Sequence, residues 1–215
     1  MTAKARKTDW NKSLAPLFRQ YGRRKHPLDY KNLYQLVVMV ILSSRSTDVF
    51  INKVAPELFK AYPTMKELAN AGPEDLFPFV HGITNFRHKS GWLVSIAKAV
   101  KDDEHIPTTM EELTNLPGIG RKSANVIIGE SGGKAEGVIV DLHVARVAPR
   151  LGITKSDSPD KIEKDIMESI APKYWHAAWM GMTFLGREVC RPKSPRCPEC
   201  VVNKVCEYFR KGQRE

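Results

Sequence analysis

Cys190, Cys197, Cys200 and Cys206 are the only cysteines of this 215-residue chain, separated by six, two and five residues. Four thiolates in so short a segment can enclose one metal centre. A zinc ribbon usually offers two Cys-x-x-Cys knuckles, and only Cys197 to Cys200 has that spacing, so the pattern favours a [4Fe-4S] cluster over zinc or disulfides. Lys122 opens a helical stretch whose inward face is Ala124, Ile127 and Ile128. A lysine is a nucleophile only when neutral, and burial beside another cation such as Arg121 drives it towards that state. Taken alone, Lys122 reads first as a phosphate contact. Asp141 follows the apolar run Val138-Ile139-Val140 and precedes a helix with Val144, Val147, Ala148 and Leu151 on one face. It can stabilise positive charge in a reaction or simply cap that helix.

These residues need elements to hold them. The run Leu116-Pro117-Gly118-Ile119-Gly120-Arg121-Lys122 joins two helical stretches, with Pro117 ending the first. Gly118 and Gly120 permit positive φ and leave bare backbone facing outward, so the turn and the following helix N-terminus form an anion site. An ordinary tight turn is the plain alternative. An echo of this string occurs at Gly82-Ile83, followed by Arg87 and Lys89, and suggests two turns presenting cations on a common surface. Helical periodicity runs through 32–40, 48–58, 89–100, 109–116, 121–130, 142–151, 158–170 and 174–189, and only 137–140 reads as extended. Thr47 or Asp48 is the natural cap after the polar break at 43–48, and Trp10, Leu14, Leu17 and Phe18 predict one amphipathic N-terminal helix. The fold class is all-α.

Composition points to the partner. Lys and Arg total 34 against 24 Asp and Glu, a net charge of +10, and eight basic residues against one acidic lie within 1–25. Such a balance favours a polyanion such as nucleic acid. The longest apolar run, Leu36 to Leu42, is far below the roughly 18 residues of a membrane span. No membrane partner is expected. Nothing after Lys4, Arg6 and Lys7 reads as a secretory signal, so the expected location is cytoplasmic, at the nucleoid.

The hairpin string, the Val-Asp-x-His context of Asp141 and His143, and the six-two-five cysteine spacing together resemble the helix-hairpin-helix DNA-repair glycosylases. Within them the chain is most similar to the endonuclease III family, from about Leu14 to Phe209. The resemblance implies two helical domains with a DNA-binding groove between them. One is a six-helix barrel at 26–136 with its hairpin at about 113–130. The other is a discontinuous domain of 1–25 and 137–215 carrying the [4Fe-4S] loop at 190–206. It implies a bifunctional DNA glycosylase/AP lyase of base-excision repair, expected to be a monomer on duplex DNA containing damaged bases or abasic sites. Lys122 would form the Schiff base that leads to β-elimination, with Asp141 stabilising charge on the sugar. DNA contacts are expected at Arg45, Ile83, Asn85, Arg87, Gly118, Gly120, Arg121, His143, Lys193 and Arg196, Ile83 being the apolar wedge candidate. Three departures from the family pattern bear on base reading. Ser43-Ser44-Arg45 stands where Ser-Ala-Gln is common, Phe86 is unusual, and Leu142 replaces a common Thr. Two alternatives follow: an abasic-site lyase with little or no glycosylase activity, and a non-catalytic DNA-binding module.

Overall fold

A computed structural model describes residues 8–134 and 136–212, so Lys4, Arg6 and Lys7 lie outside the described residues. The chain forms two compact units. Every regular element among the described residues is helical.

The unit that carries the chain's start and its C-terminal part begins with α1 (Trp10–Ser13) and α2 (Ala15–Tyr21). The expected single helix is broken at Leu14. Pro16 has no N–H to continue the ladder but is favoured in a first turn, so the chain restarts there.

The second unit, His26–Lys134, is built around α3 (Leu33–Ser43). Tyr34 and all of Leu36 to Leu42 are buried, so the apolar run is a central helix rather than a surface stripe. It packs against α4 (Asp48–Ala61), which Thr47 caps by accepting the Phe50 N–H. Short helices α5 (Met65–Ala69) and α6 (Phe77–Val80) lead to α7 (Phe86–Val100). Next come α8 (Met110–Thr114) and α9 (Arg121–Glu130), which pack on each other, while α7 and α9 also pack on α3.

The first unit resumes with 136–140, which is neither helical nor paired, and then α10 (Leu142–Leu151). It continues with α11 (Pro159–Ser169), α12 (Trp175–Glu188) and α13 (Glu207–Arg210). Helix α12 is central here, flanked by α2 and α10. No helix among the described residues is long and apolar enough to cross a membrane.

Candidate functional site

The turn between α8 and α9 is tight for identifiable reasons. The Leu116 N–H donates to Leu113 O at 3.1 Å, and the Ile119 N–H donates to Leu116 O at 3.3 Å. Gly118 has φ +77°, and a Cβ there would lie 2.5 Å from Trp92 Cε3. Backbone conformation and contact with Trp92 therefore both demand glycine. Gly120 differs from expectation. Its φ of −91° suits any residue and its side faces open space, so what glycine supplies there is an uncovered backbone. No side chain caps α9 at Gly120, so first-turn amides are left for an outside anion. Ile119 anchors the turn in the core, while Arg121 and Lys122 stand exposed in the first turn of α9. The burial expected around Lys122 is not found within its unit.

Asp141 is the N-cap of α10. Its Oδ1 accepts from the His143 and Val144 N–H groups at 2.8 Å each, and its Oδ2 accepts from Thr183 Oγ1 at 2.8 Å. Three donors from two helices fix the carboxylate's orientation. The capping role and a catalytic role are thus compatible, because the cap is what aims the group. Leu142, next in sequence, is 85% exposed. His143 was expected at DNA but is half-buried. A Cβ on Gly186 would come within 2.7 Å of its Cβ, and Arg146 Nη2 lies 3.2 Å from its Nδ1. Burial and the guanidinium groups of Arg187 and Arg146 press its pKa down despite Asp141. Its small neighbour lets α10 and α12 pack closely, which makes it a packing residue here.

The four cysteines line one recess together with Val147, Leu151 and Leu185. No three His, Cys, Asp or Glu among the described residues are close enough to hold a single ion. A polynuclear cluster spreads its ligands more widely, one thiolate to each iron, so a four-thiol apolar recess fits one. Burial pushes the Cys200 thiol up to about 11 and raises Cys197 and Cys206, the neighbouring thiols adding to each. Arg150 sets a cation beside this sulfur-rich site, its Nη1 3.6 Å from Cys190 Sγ and its guanidinium over the Tyr208 ring. On the loop, Lys193 is exposed as expected of a phosphate contact. Arg196 is engaged internally, donating to Glu188 O at 2.7 Å and pairing with Glu199 at 2.9 Å, so it shapes the loop.

The echo at residues 80–89 departs most from expectation. Ile83 is 2% exposed, because its N–H closes the turn onto Val80 O at 2.8 Å and its side chain enters the core. The wedge assignment therefore does not hold in this conformation. Thr84 and Asn85 of this turn are exposed, the latter at φ +59°. Arg87 is exposed over the rings of Phe77 and Phe86. Arg45 is exposed at φ +59° in the break after α3. Lys89 is not on a cationic surface at all: it is 2% exposed.

Sequence reasoning misplaced Lys89 and missed the roles of Trp92, Thr183 and Arg150. For Lys89 a signal existed, since the helical register that places Leu93, Ile96 and Val100 inside places Lys89 with them. Trp92 of α7 stays partly exposed while its ring packs against Gly118. Nothing local marks Thr183.

Residues 38–172 match the model of the HhH-GPD superfamily of base excision DNA repair proteins. The chain is 38% identical to endonuclease III of Synechocystis over 181 residues, 83% of each protein. It is 32% identical to that of Thermotoga maritima over 192 residues, 87% of this chain and 90% of the relative. Among solved structures it is similar to a trapped endonuclease III–DNA covalent intermediate, at 30% identity and TM-score 0.84 with both chains covered in full. A thermostable thymine-DNA glycosylase, at 18% identity and TM-score 0.75, shares the fold over 94% of this chain and 95% of its own. A hairpin with open backbone, an aimed carboxylate and a four-thiol recess thus occur in a chain that belongs to the HhH-GPD superfamily of base excision DNA repair proteins and, within it, to the endonuclease III family.

Proposed function

We propose that Lys122 is the nucleophile of this chain's DNA glycosylase/AP lyase activity in base-excision repair. The observation that carries the assignment is its place: exposed in the first turn of α9, two residues after a glycine whose backbone is open to a phosphate. The similarity to a covalent endonuclease III–DNA intermediate supports it. The neutral Nζ attacks C1′ of the damaged nucleotide, and the C1′–N bond breaks with its electron pair leaving on the base, which takes up a proton. Opening of the sugar gives a Schiff base. Loss of a C2′ proton then expels the 3′ phosphate, and water releases the amine. Asp141, oriented by its three donors, stabilises positive charge on the sugar. Phosphates are held by the backbone at Gly118 and Gly120 and by Arg121 and Lys193.

Cys190, Cys197, Cys200 and Cys206 would hold a [4Fe-4S] cluster, which when bound cross-links and orders the loop that bears Lys193. In this reading 26–136 presents the hairpin, and 1–25 with 137–215 carries the cluster loop. The protein acts as a monomer at the nucleoid, in keeping with its charge of +10. An abasic-site lyase with weak glycosylase activity is the second reading, favoured by Arg45 and by the exposed Leu142 where damaged bases are read.

Borohydride added during reaction with an abasic-site duplex should trap a covalent adduct in the parent. Lys122→Gln should abolish it while duplex binding persists, and an undiminished adduct would overturn the assignment. Asp141→Asn should slow base removal by roughly 10²- to 10³-fold with binding intact, the scale for removing one group that stabilises a transition-state charge. Purified protein should carry about four irons per chain. A colourless, fully active sample with stoichiometric zinc would rule the cluster out.

A further inference from the structure

Lys89 Nζ donates to Leu42 O at 2.9 Å and to Ser44 O at 2.5 Å, and among the described residues no carboxylate pairs with it. Those carbonyls belong to the C-terminal end of α3, which a helix leaves without partners. A buried ammonium therefore ends α3. Ser44, the cap residue, turns to φ −54°, ψ 118°, and Arg45 follows in the left-handed region at φ +59°. A non-glycine residue keeps that conformation only where its surroundings over-determine it. A second hold comes from the same facing turn, because Thr84 Oγ1 donates to Arg45 O at 3.3 Å. The turn that bears Thr84 also packs on the start of α4, where a Cβ on Gly82 would lie 2.9 Å from Phe50 Cζ. The Arg45 side chain is thus presented outward on a backbone gripped from beneath at positions 42, 44 and 45.

We propose that Lys89 and Thr84 are positioning residues that set Arg45 for recognition of the lesion in duplex DNA. The inference rests on the DNA-repair reading above. Neither residue touches DNA. Each acts through the Arg45 backbone, so neither effect should survive once the Arg45 side chain is gone.

The experiment compares affinity for one duplex with and without a single abasic-site analogue, in the parent, Lys89→Met, Lys89→Arg, Thr84→Val, Arg45→Ala and the doubles with Arg45→Ala. Arg45→Ala is expected to lower the preference for the abasic duplex about tenfold and Lys89→Met by a similar factor. Thr84→Val should lower it about threefold, and Lys89→Arg, which keeps donors at the carbonyls, should recover most of the loss. In the Arg45→Ala background, Lys89→Met and Thr84→Val should add less than twofold. Equal effects in both backgrounds would overturn the proposal, as would an unchanged preference in folded Lys89→Met. Thermal melting establishes folding. If Lys89→Met fails to fold, the exposed Thr84→Val and its double decide by the same criterion. A parent that neither prefers the abasic duplex nor gives the borohydride adduct would fail the DNA-repair reading itself, a different result from additivity in an active parent.

Discussion

The turns at 80–89 and 116–122 look alike in sequence, yet they place their lysines on opposite faces of the helices that follow. Both carry a buried isoleucine after a glycine, Ile83 and Ile119. In the second turn the left-handed residue is Gly118, before the isoleucine, and α9 starts three residues later with Lys122 as its second residue. In the first turn the left-handed residue is Asn85, after the isoleucine, and α7 starts four residues beyond Gly82 with Lys89 as its fourth residue. Two residues of helix are about 200° of rotation. The counterpart of Lys122 is therefore Arg87, which is exposed, and the counterpart of Lys89 is Ala124, which is buried. A two-residue change in register converts an outward amine into an internal brace.

The sharpest way to break this comparison is to exchange the lysines' consequences. Lys122→Gln should remove the borohydride adduct entirely, at least ~10³-fold below the parent given the size of catalytic nucleophile effects. Lys89→Met should still form the adduct on an abasic duplex at saturating enzyme, and loss of adduct there would mean the lysines are not functionally distinct.

The glycines provide the next contrast. Gly118→Ala meets both a positive φ and Trp92, and should cost about 1–3 kcal/mol in denaturant unfolding. Gly82→Ala meets only the tip of the Phe50 ring at ordinary φ and should cost less than half as much.

A smaller effect concerns pH. Burial pushes the Lys89 pKa down to about 8 from an ordinary 10.5. Between those values the unfolded chain holds a proton at this site that the folded chain has released, so this residue makes stability rise with pH there. Denaturant midpoints of the parent minus those of Lys89→Met should increase from pH 8 to pH 10, and a flat or falling difference would remove the case for a desolvated ammonium. The smallest structural change is expected for Gly120→Ala, within about 0.5 kcal/mol of the parent because its side is open and its φ ordinary. Its weakened duplex affinity would separate uncovered backbone from strain.

Much of this molecule was legible before folding. The spacing of apolar side chains delimits 121–130 and 142–151 to the residue, with starts marked by Gly120 and Asp141, although only the second helix has one wet and one dry face, residues 124–128 of the first being buried all round. The all-α class follows from the same spacing, and the thiol chemistry at 190–206 from four cysteines in one short loop. The N-terminal helix was misread for a local reason, a proline whose effect the apolar pattern hides. What only tertiary structure decided is which face of a residue meets what. Asp141 reads as a cap in sequence, and Thr183 of α12, 42 residues away, completes its geometry. Arg196 reads as a free cation until Glu188 O and Glu199 engage it. Lys89 carries a charge that composition counts towards DNA, yet it lies against carbonyls from α3. Sequence spacing encodes the direction of a side chain along its own helix, whereas its partner depends on contacts between segments far apart in the chain.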